Sequence, residues 1–363
     1  MPSKKAAGPA RALRIGYVPV SANLQGPGDR RRFVYYARSR NLQFEIADPD
    51  KSYDVVVVTQ MADLSVWSRY YRGKIIYDAI DSYLVIPKTN VKGILRGLAK
   101  YLAGRSRYLQ LNYWRAIEHM CRRADVVICS TEEQRNDISK FCQNVRIILD
   151  IHSAVVHKVK SNFDLSNPIR LVWEGLPQTL SSLTSIQKVV QRLSRDQPLE
   201  LHLVTDKSYY RYLQTYGKAD TLRSIRKMFP NTVLHEWKEE TCADIIASCD
   251  IAVIPLNMND PFAAGKPENK LLLLWRLGMP VVTSATPAYR RAMHNAGQNL
   301  TCATDDEWYE TLKRMLQSKT LREESATKGR EYSQNEFDEQ KVLGLWDAAF
   351  ASIGFDMTRE IQS

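Results

Sequence analysis

Along most of the chain, short apolar runs of strand length alternate with longer segments whose apolar positions recur every three to four residues. In the first part the strand candidates are Leu13–Val20, Leu42–Ala47, Asp54–Val58, Lys74–Tyr77, Val126–Ser130 and Val145–Leu149. Val55–Val58 and Val126–Cys129 are uninterrupted apolar runs, the pattern of parallel strands covered on both faces. Helical patterns lie between them, at Arg30–Arg40, Val91–Arg123 and Glu132–Phe141, the last introduced by Ser130-Thr131 with acids in its first turn. Residues Asp150–Pro168 break the rhythm with a polar stretch rich in Ser, His and Lys, and are read as an interdomain linker. The alternation then resumes. Strands are expected at Arg170–Trp173, Leu199–Val204, Val233–Glu236, Ile251–Ile254, Pro280–Thr283 and Leu300–Ala303. Helices are expected at Ser182–Ser194, Thr221–Met228, Cys242–Ala247, Asn269–Leu277 and Asp305–Leu316, with a last one at Gln334–Phe350. Repeated strand–helix alternation in both halves predicts an α/β protein of two doubly wound parallel-sheet domains facing a cleft. The expected division is 1–166, 167–333 and a terminal segment 334–363.

A length of 363 residues fits two domains. With 44% hydrophobic and 25% charged residues the composition is that of a folded chain, not a disordered one. No apolar run approaches the roughly 18 residues that cross a bilayer. Leu13–Val20 is too short and too soon polar to read as a signal peptide. Six cysteines without CxxC or framework spacing read as reduced, buried thiols. Six histidines without ligand spacing predict no metal site. Collagen, coiled coil, disulfide mini-protein and integral membrane protein are excluded.

Charge adds a second theme. Residues 1–166 carry 27 Lys and Arg against 15 Asp and Glu, while residues 167–363 carry 24 against 25. The basic half therefore expects an anionic partner. Between Asp81 and Glu118 there is no acidic residue, and Lys92, Arg96 and Lys100 recur every four residues, with Arg105 following. Ile94, Leu95, Leu98, Tyr101 and Leu102 fall on the opposite side of that helical pattern. Such a basic amphipathic segment suits an anionic membrane surface, and equally a surface helix docked on its own domain. Nucleic acid is disfavoured, because no recognised nucleic-acid motif accompanies the charge.

The stretch richest in chemistry is Ile251-Ala-Val-Ile-Pro-Leu256, a loop, then Gly265-Lys-Pro-Glu-Asn-Lys-Leu-Leu-Leu-Leu-Trp-Arg-Leu-Gly-Met-Pro-Val-Val282. A buried strand leads through a flexible loop into a helix that starts near Glu268–Lys270. The helix amino end offers free N–H groups and positive partial charge beside Lys266 and Lys270, a ready site for a diphosphate.

These residues resemble the donor-binding domain of GT-B glycosyltransferases, of the retaining group 1 type. Other stretches agree in order and spacing. Lys74-Ile-Ile-Tyr-Asp-Ala-Ile-Asp-Ser-Tyr83 resembles a strand end of the acceptor domain, and Ala124-Asp-Val-Val-Ile-Cys-Ser130 the strand before the linker. Leu171-Val-Trp-Glu-Gly175 resembles the first strand of the second domain, and Gln334–Phe350 the terminal helix that crosses back. The resemblance implies a glycosyltransferase moving a sugar from a nucleotide-sugar to a glycan or lipid-linked acceptor. It implies cell-surface polysaccharide or glycolipid assembly, at the cytoplasmic membrane face, with no resident cofactor.

It also assigns candidate residues. Glu174, Gly175, Lys266, Glu268, Asn269 and Lys270 would hold the donor nucleotide and its phosphates. The Glu-x7-Glu pair of retaining members is out of register here, its positions being Gly265 and Leu273, and Asp260 and Glu268 are the spaced acids that could replace it near the sugar and ribose. Asp78 and Asp81, following a strand end, could take the acceptor hydroxyl's proton, bind acceptor hydroxyls, or cap the next loop. Gly26, Gly28 and Arg30 belong to the loop after the first strand, where such enzymes place a glycine-containing loop facing the cleft. His119 is a further cleft candidate. Asp48-Pro-Asp50 reads as a turn. Two other readings keep the fold: a sugar-phosphate transferase, or a non-catalytic scaffold that binds a polyanion.

Overall fold

The computed structural model describes residues 13–86, 98–99, 101–104, 106–109, 112–212 and 216–357. Lys92, Arg96, Lys100 and Arg105 lie outside the described residues. The chain divides into two compact units, one of residues 1–151 with 340–363, the other of 152–339.

The first unit is built on six parallel strands: β1 (Ile15–Val18), β2 (Phe44–Ile46), β3 (Val55–Thr59), β4 (Lys74–Asp78), β5 (Val126–Cys129) and β6 (Val145–Ile147). Their order across the sheet is β2-β1-β3-β4-β5-β6. Every residue of β3 and β5 is buried, as their unbroken apolar runs require. Thr131 caps the helix Glu132–Ile138 by accepting from the Gln134 N–H, and Gln134 in turn donates to the Ala79 carbonyl beyond β4. The terminal helix Glu339–Ala351 completes this unit. It lays Trp346 and Phe350 on Tyr36, with ring centroids 5.5 and 5.6 Å apart, and both also meet Phe33. Asp347 accepts from Arg40 and from the Tyr36 hydroxyl. Trp346 and Phe350 are fully buried, and truncating either to alanine should cost about 3–5 kcal/mol.

The second unit holds β7 (Ile169–Glu174), β8 (Leu199–Thr205), a hairpin of β9 (Ser208–Tyr212) and β10 (Tyr216–Asp220), then β11 (Thr232–Glu236), β12 (Ile251–Ile254), β13 (Val281–Ser284) and β14 (Thr301–Cys302). Six of these form a parallel sheet in the order β11-β8-β7-β12-β13-β14, and β9 and β10 pair antiparallel beside it. The helix Asn269–Arg276 ends at Gly278, whose φ of +71° suits glycine. There the Gly278 and Met279 N–H groups close on the Trp275 and Leu274 carbonyls. Lys319–Glu336 packs against this helix so closely that a Cβ on Gly329 would lie 2.3 Å from Trp275 Cδ1.

Several expectations are corrected. The Val91–Arg123 pattern is not one helix. Gly104 adopts φ +67°, the described residues between it and Asn112 are not helical, and Asn112 caps a new helix, Tyr113–Arg123, by accepting from the Arg115 N–H. Ser182–Ser194 divides into a 3-10 stretch, Pro177–Ile186, and a helix, Gln187–Leu193. The division between units falls earlier than 166/167 because residues 152–166 are fastened to the second unit. The Lys160 N–H donates to Leu277, its ammonium to the Cys249 carbonyl at 2.7 Å, and Arg322 donates to the Phe163 carbonyl at 2.7 Å. Asp150, at the other end of the expected linker, belongs to the first unit through Arg32.

Candidate functional site

In the second sheet the chain leaves β7 toward β8 and β11, then returns to β12 on the other side of β7 and continues to β14. The strand order therefore reverses between β7 and β12, which pair through Leu171–Ile251 and Val172–Ala252. In open parallel sheets the ligand crevice lies beyond the carboxyl ends of the two strands at such a point. Here those ends are Glu174-Gly175 and Pro255-Leu256.

Two of the residues expected to hold a nucleotide, Lys270 and Gly175, meet at that point. Lys270, in the first turn of the helix Asn269–Arg276, extends over the end of β7, its Nζ 4.7 Å from the Trp173 ring centroid. A Cβ at Gly175 would stand 2.5 Å from the same Nζ, so the missing side chain makes room for the ammonium. Glu268 is buried at the N-cap position of this helix and makes no capping bond from its side chain. Glu174 is buried at the end of β7. Burial holds the Tyr289 phenol well above its usual value, and the charges of Glu268 and then Glu174 push it further in the same direction. Asn269 and Lys266 are half-buried, with Lys266 Nζ 4.6 Å from the Phe262 ring centroid. Ammonium groups and helix N–H donors suit phosphate oxygens, and carboxylates suit the hydroxyls of a ribose or sugar. The arrangement can hold a molecule carrying both.

Asp260 has a different place. It is exposed and caps the short helix Pro261–Ala264, accepting from the Phe262 N–H at 3.0 Å. The loop before it is tied back where the Leu256 N–H donates to Ser284 Oγ at 2.8 Å.

In the first unit the loop after β1 is organised by Asp29, a fully buried carboxylate not anticipated from sequence. It accepts from the Tyr17 hydroxyl at 2.6 Å, the Val20 and Ser21 N–H groups at 2.7 and 2.9 Å, and Ser21 Oγ at 2.6 Å. Gly26 and Gly28 lie close against this framework: a Cβ on Gly28 would come within 2.9 Å of Val20 Cγ2. Arg30 folds back to the Gln25 carbonyl.

Asp78 is not an open carboxylate. It is fully buried and grips Arg32 through two bonds of 2.6 and 2.8 Å, while Arg32 also donates to the Ile148 carbonyl and to Asp150. Burial is the largest influence and lowers the Arg32 pKa, but the charges and hydrogen bonds of Asp78 and Asp150 together more than offset it, and the guanidinium is held above its ordinary value. Asp81 stays half-buried and accepts from Gln60 Nε2 at 2.9 Å, while its N–H donates to Gln60 Oε1. His119 is exposed on the outer face of Tyr113–Arg123, whereas its neighbour Glu118 is buried. Among the described residues no cluster of three His, Cys, Asp or Glu could hold a metal ion.

No protein-family model and no curated protein sequence matches the chain. Solved structures do. HepE from Anabaena, in complex with UDP and glucose, aligns with a TM-score of 0.65 at 11% identity, covering 94% of this chain and 100% of its own. WaaG, a glycosyltransferase involved in lipopolysaccharide biosynthesis, aligns at 0.56 and 14% identity over 94% and 100%. TarM aligns at 0.55 and 11% identity over 82% of this chain, which spans 54% of TarM, about half its length. The chain thus has the two-domain GT-B glycosyltransferase fold, and at these identities the likeness is one of fold.

Proposed function

We propose that this protein is a glycosyltransferase whose second unit binds a nucleotide-sugar and whose first unit binds the acceptor. The observation that carries the reading is the placement of Lys270 over Trp173 and Gly175, at a helix amino end and at the strand-order reversal of the sheet. Lys270, Lys266 and the N–H groups at Asn269 would neutralise the diphosphate. Glu268 and Glu174 would accept from ribose or sugar hydroxyls.

In the reaction the bond between the anomeric carbon and the diphosphate oxygen breaks and a bond to the acceptor oxygen forms. The acceptor proton passes to a base, and negative charge collects on the departing diphosphate, where fixed positive charge lowers the barrier. With Asp78 committed to Arg32, Asp81 is the carboxylate assigned to the acceptor hydroxyl. We assign a hexosyl donor, no metal, and a glycan or lipid-linked acceptor at the cytoplasmic membrane face, in polysaccharide or glycolipid assembly. HepE bound to UDP and glucose, and the lipopolysaccharide role of WaaG, support the donor and acceptor classes.

The test is release of nucleoside diphosphate from a panel of nucleotide-sugars, with glycan or lipid-extract acceptors. Release from one donor, lost in a folded Lys270→Ala variant, is expected. Absence of release from every donor, with nucleotide still bound, would favour the scaffold reading.

A further inference from the structure

The second unit carries a β-hairpin that stands apart from its parallel sheet. β9 and β10 pair with each other in a sheet of their own, and a two-stranded ribbon is marginal by itself in water. Here it is rooted at its base. The Thr221 N–H donates to the Lys207 carbonyl at 3.0 Å and the Thr221 hydroxyl to the Asp206 carbonyl at 2.6 Å. Asp220 caps the helix Thr221–Arg226 by accepting from the Arg223 N–H. β9 also packs against Pro177–Ile186, the stretch that follows Gly175 and Leu176.

The root fixes the hairpin's place. β8 ends at Thr205, so the hairpin rises from the carboxyl edge of the sheet, the edge at which β7 and β12 open the candidate nucleotide crevice. Four of the chain's 18 tyrosines fall within residues 209–216, a concentration that the strands' core does not call for. Tyr212 is paired with Tyr216, and Tyr210 with Lys218. Because successive strand positions alternate between faces, positions 210, 212, 216 and 218 share one face, and 209 and 219 share the other. Tyr209 and Ala219 are half-buried, whereas Tyr210 is 43% exposed and Lys218 is exposed. The face of Tyr210 and Lys218 is therefore the outer one.

We propose that this outer face is a saccharide platform, on which sugar rings of the acceptor rest beyond the ring that reacts. The proposal rests on the glycosyltransferase reading above and narrows its acceptor to a chain of several sugars. A pyranose has a flat face of C–H bonds and a rim of hydroxyls. Tyrosine offers an aromatic ring to the one and a polar tip to the other, and a lysine ammonium donates to hydroxyl oxygens. No aliphatic residue stands at positions 208, 210, 212, 216, 218 or 220, a composition that does not suit a lipid chain or the apolar stripe of a helix. Continuity with the crevice supplies the rest of the argument: a glycan whose end reaches the carboxyl edge of this sheet has the platform beside it.

The experiment is calorimetric titration of the full chain with malto-, cello- and chito-oligosaccharides of two and six rings, and separately with nucleotide. Two variants are compared with the parent, Tyr210→Ser/Tyr212→Ser and Tyr210→Phe/Tyr212→Phe. In at least one series the parent should bind six rings at least about tenfold more tightly than two. The serine variant should bind both lengths alike, and the phenylalanine variant, which keeps the rings, should retain the preference. All three should bind nucleotide equally. The saccharide titration uses no donor, so a parent that binds no nucleotide would count against the donor site and leave this test standing. The proposal is overturned if no series favours six rings, or if the serine variant keeps the preference. It is also overturned if the serine variant loses nucleotide affinity instead, or if its one defect is the loss of a self-association that the parent shows in sedimentation.

Discussion

Lys270 and Gly175 are mutually dependent: the ammonium occupies the space that any side chain at position 175 would need, 2.5 Å from where a Cβ would stand. The Trp173 ring supports the same charge from the side, an interaction of the cation–π kind. A strand end and a helix start, far apart in sequence, are thereby joined at one point of the site.

Gly175→Ala should therefore damage both binding and stability. The ammonium met first can move, but Gly175 adopts φ +159° and the buried Trp173 ring lies 3.0 Å from the Cβ position, so the loss of stability should be about 1–3 kcal/mol. Nucleotide affinity should fall at least about tenfold, equivalent to about 1.4 kcal/mol, because the displaced ammonium no longer faces phosphate. Thermal unfolding and nucleotide titration of the same preparation check both halves.

Asp78→Asn should act on the fold. Arg32 and Asp78 each keep 1% of side-chain exposure, and removing one member of a buried pair leaves the other charge uncompensated, at a cost of about 3–5 kcal/mol. Urea unfolding should show this loss, with Asp150 alone left to face the guanidinium. Unchanged stability with a selective fall in turnover would instead return Asp78 to a catalytic role.

The second unit should lose stability in mild acid. His202 and His235 stack with ring centroids 5.1 Å apart, His202 Nδ1 is 3.0 Å from His235 Nε2, and Glu200 lies 3.3 Å from the other nitrogen of His202. Burial lowers the pKa of both below the ordinary 6.5. Glu200 opposes the shift at His202, Arg170 adds to it, and His202 further lowers His235. The unfolded chain thus binds protons more readily than the folded one. The stabilising contribution is complete above pH 6.5 and is lost as pH falls below it. His202→Gln/His235→Gln should flatten that slope in chemical unfolding measured across the range; an unchanged slope would rule the pair out as its source.

Much of this architecture could be read from residue order. The runs at Val55–Val58, Val126–Cys129 and Ile251–Ile254 are so continuously apolar that only buried strands accommodate them, and all are strands. The helix start at Asn269 was equally plain, because the loop and the apolar stretch Leu271–Trp275 bracket it.

What stayed hidden depends on partners distant in the chain. Lys319–Glu336 buries Arg322, Ser325, Ala326, Gly329 and Ser333, small or polar side chains that leave no apolar period, and at Gly329 close contact with Trp275 excludes any larger side chain. The β9–β10 hairpin, in a polar, tyrosine-rich stretch, and the helix Pro287–Asn295 also went unread. Two residues after the expected Arg30, Arg32 turns inward to a carboxylate 46 residues away, a partner that the local sequence does not show. Trp173, beside the expected Glu174, was the one available signal for the support of Lys270.

The central claim is that the carboxyl ends of β7 and β12 form a nucleotide site anchored by Lys270. Its most direct measurement is the thermal shift of the parent and of Lys270→Ala with UDP, GDP, ADP, dTDP and CMP. The account predicts that one nucleotide stabilises the parent, by about 2.7 kcal/mol at 100 times its dissociation constant, and leaves the folded variant unshifted. A variant that shifts as the parent does, or a parent that responds to none of them, would contradict it.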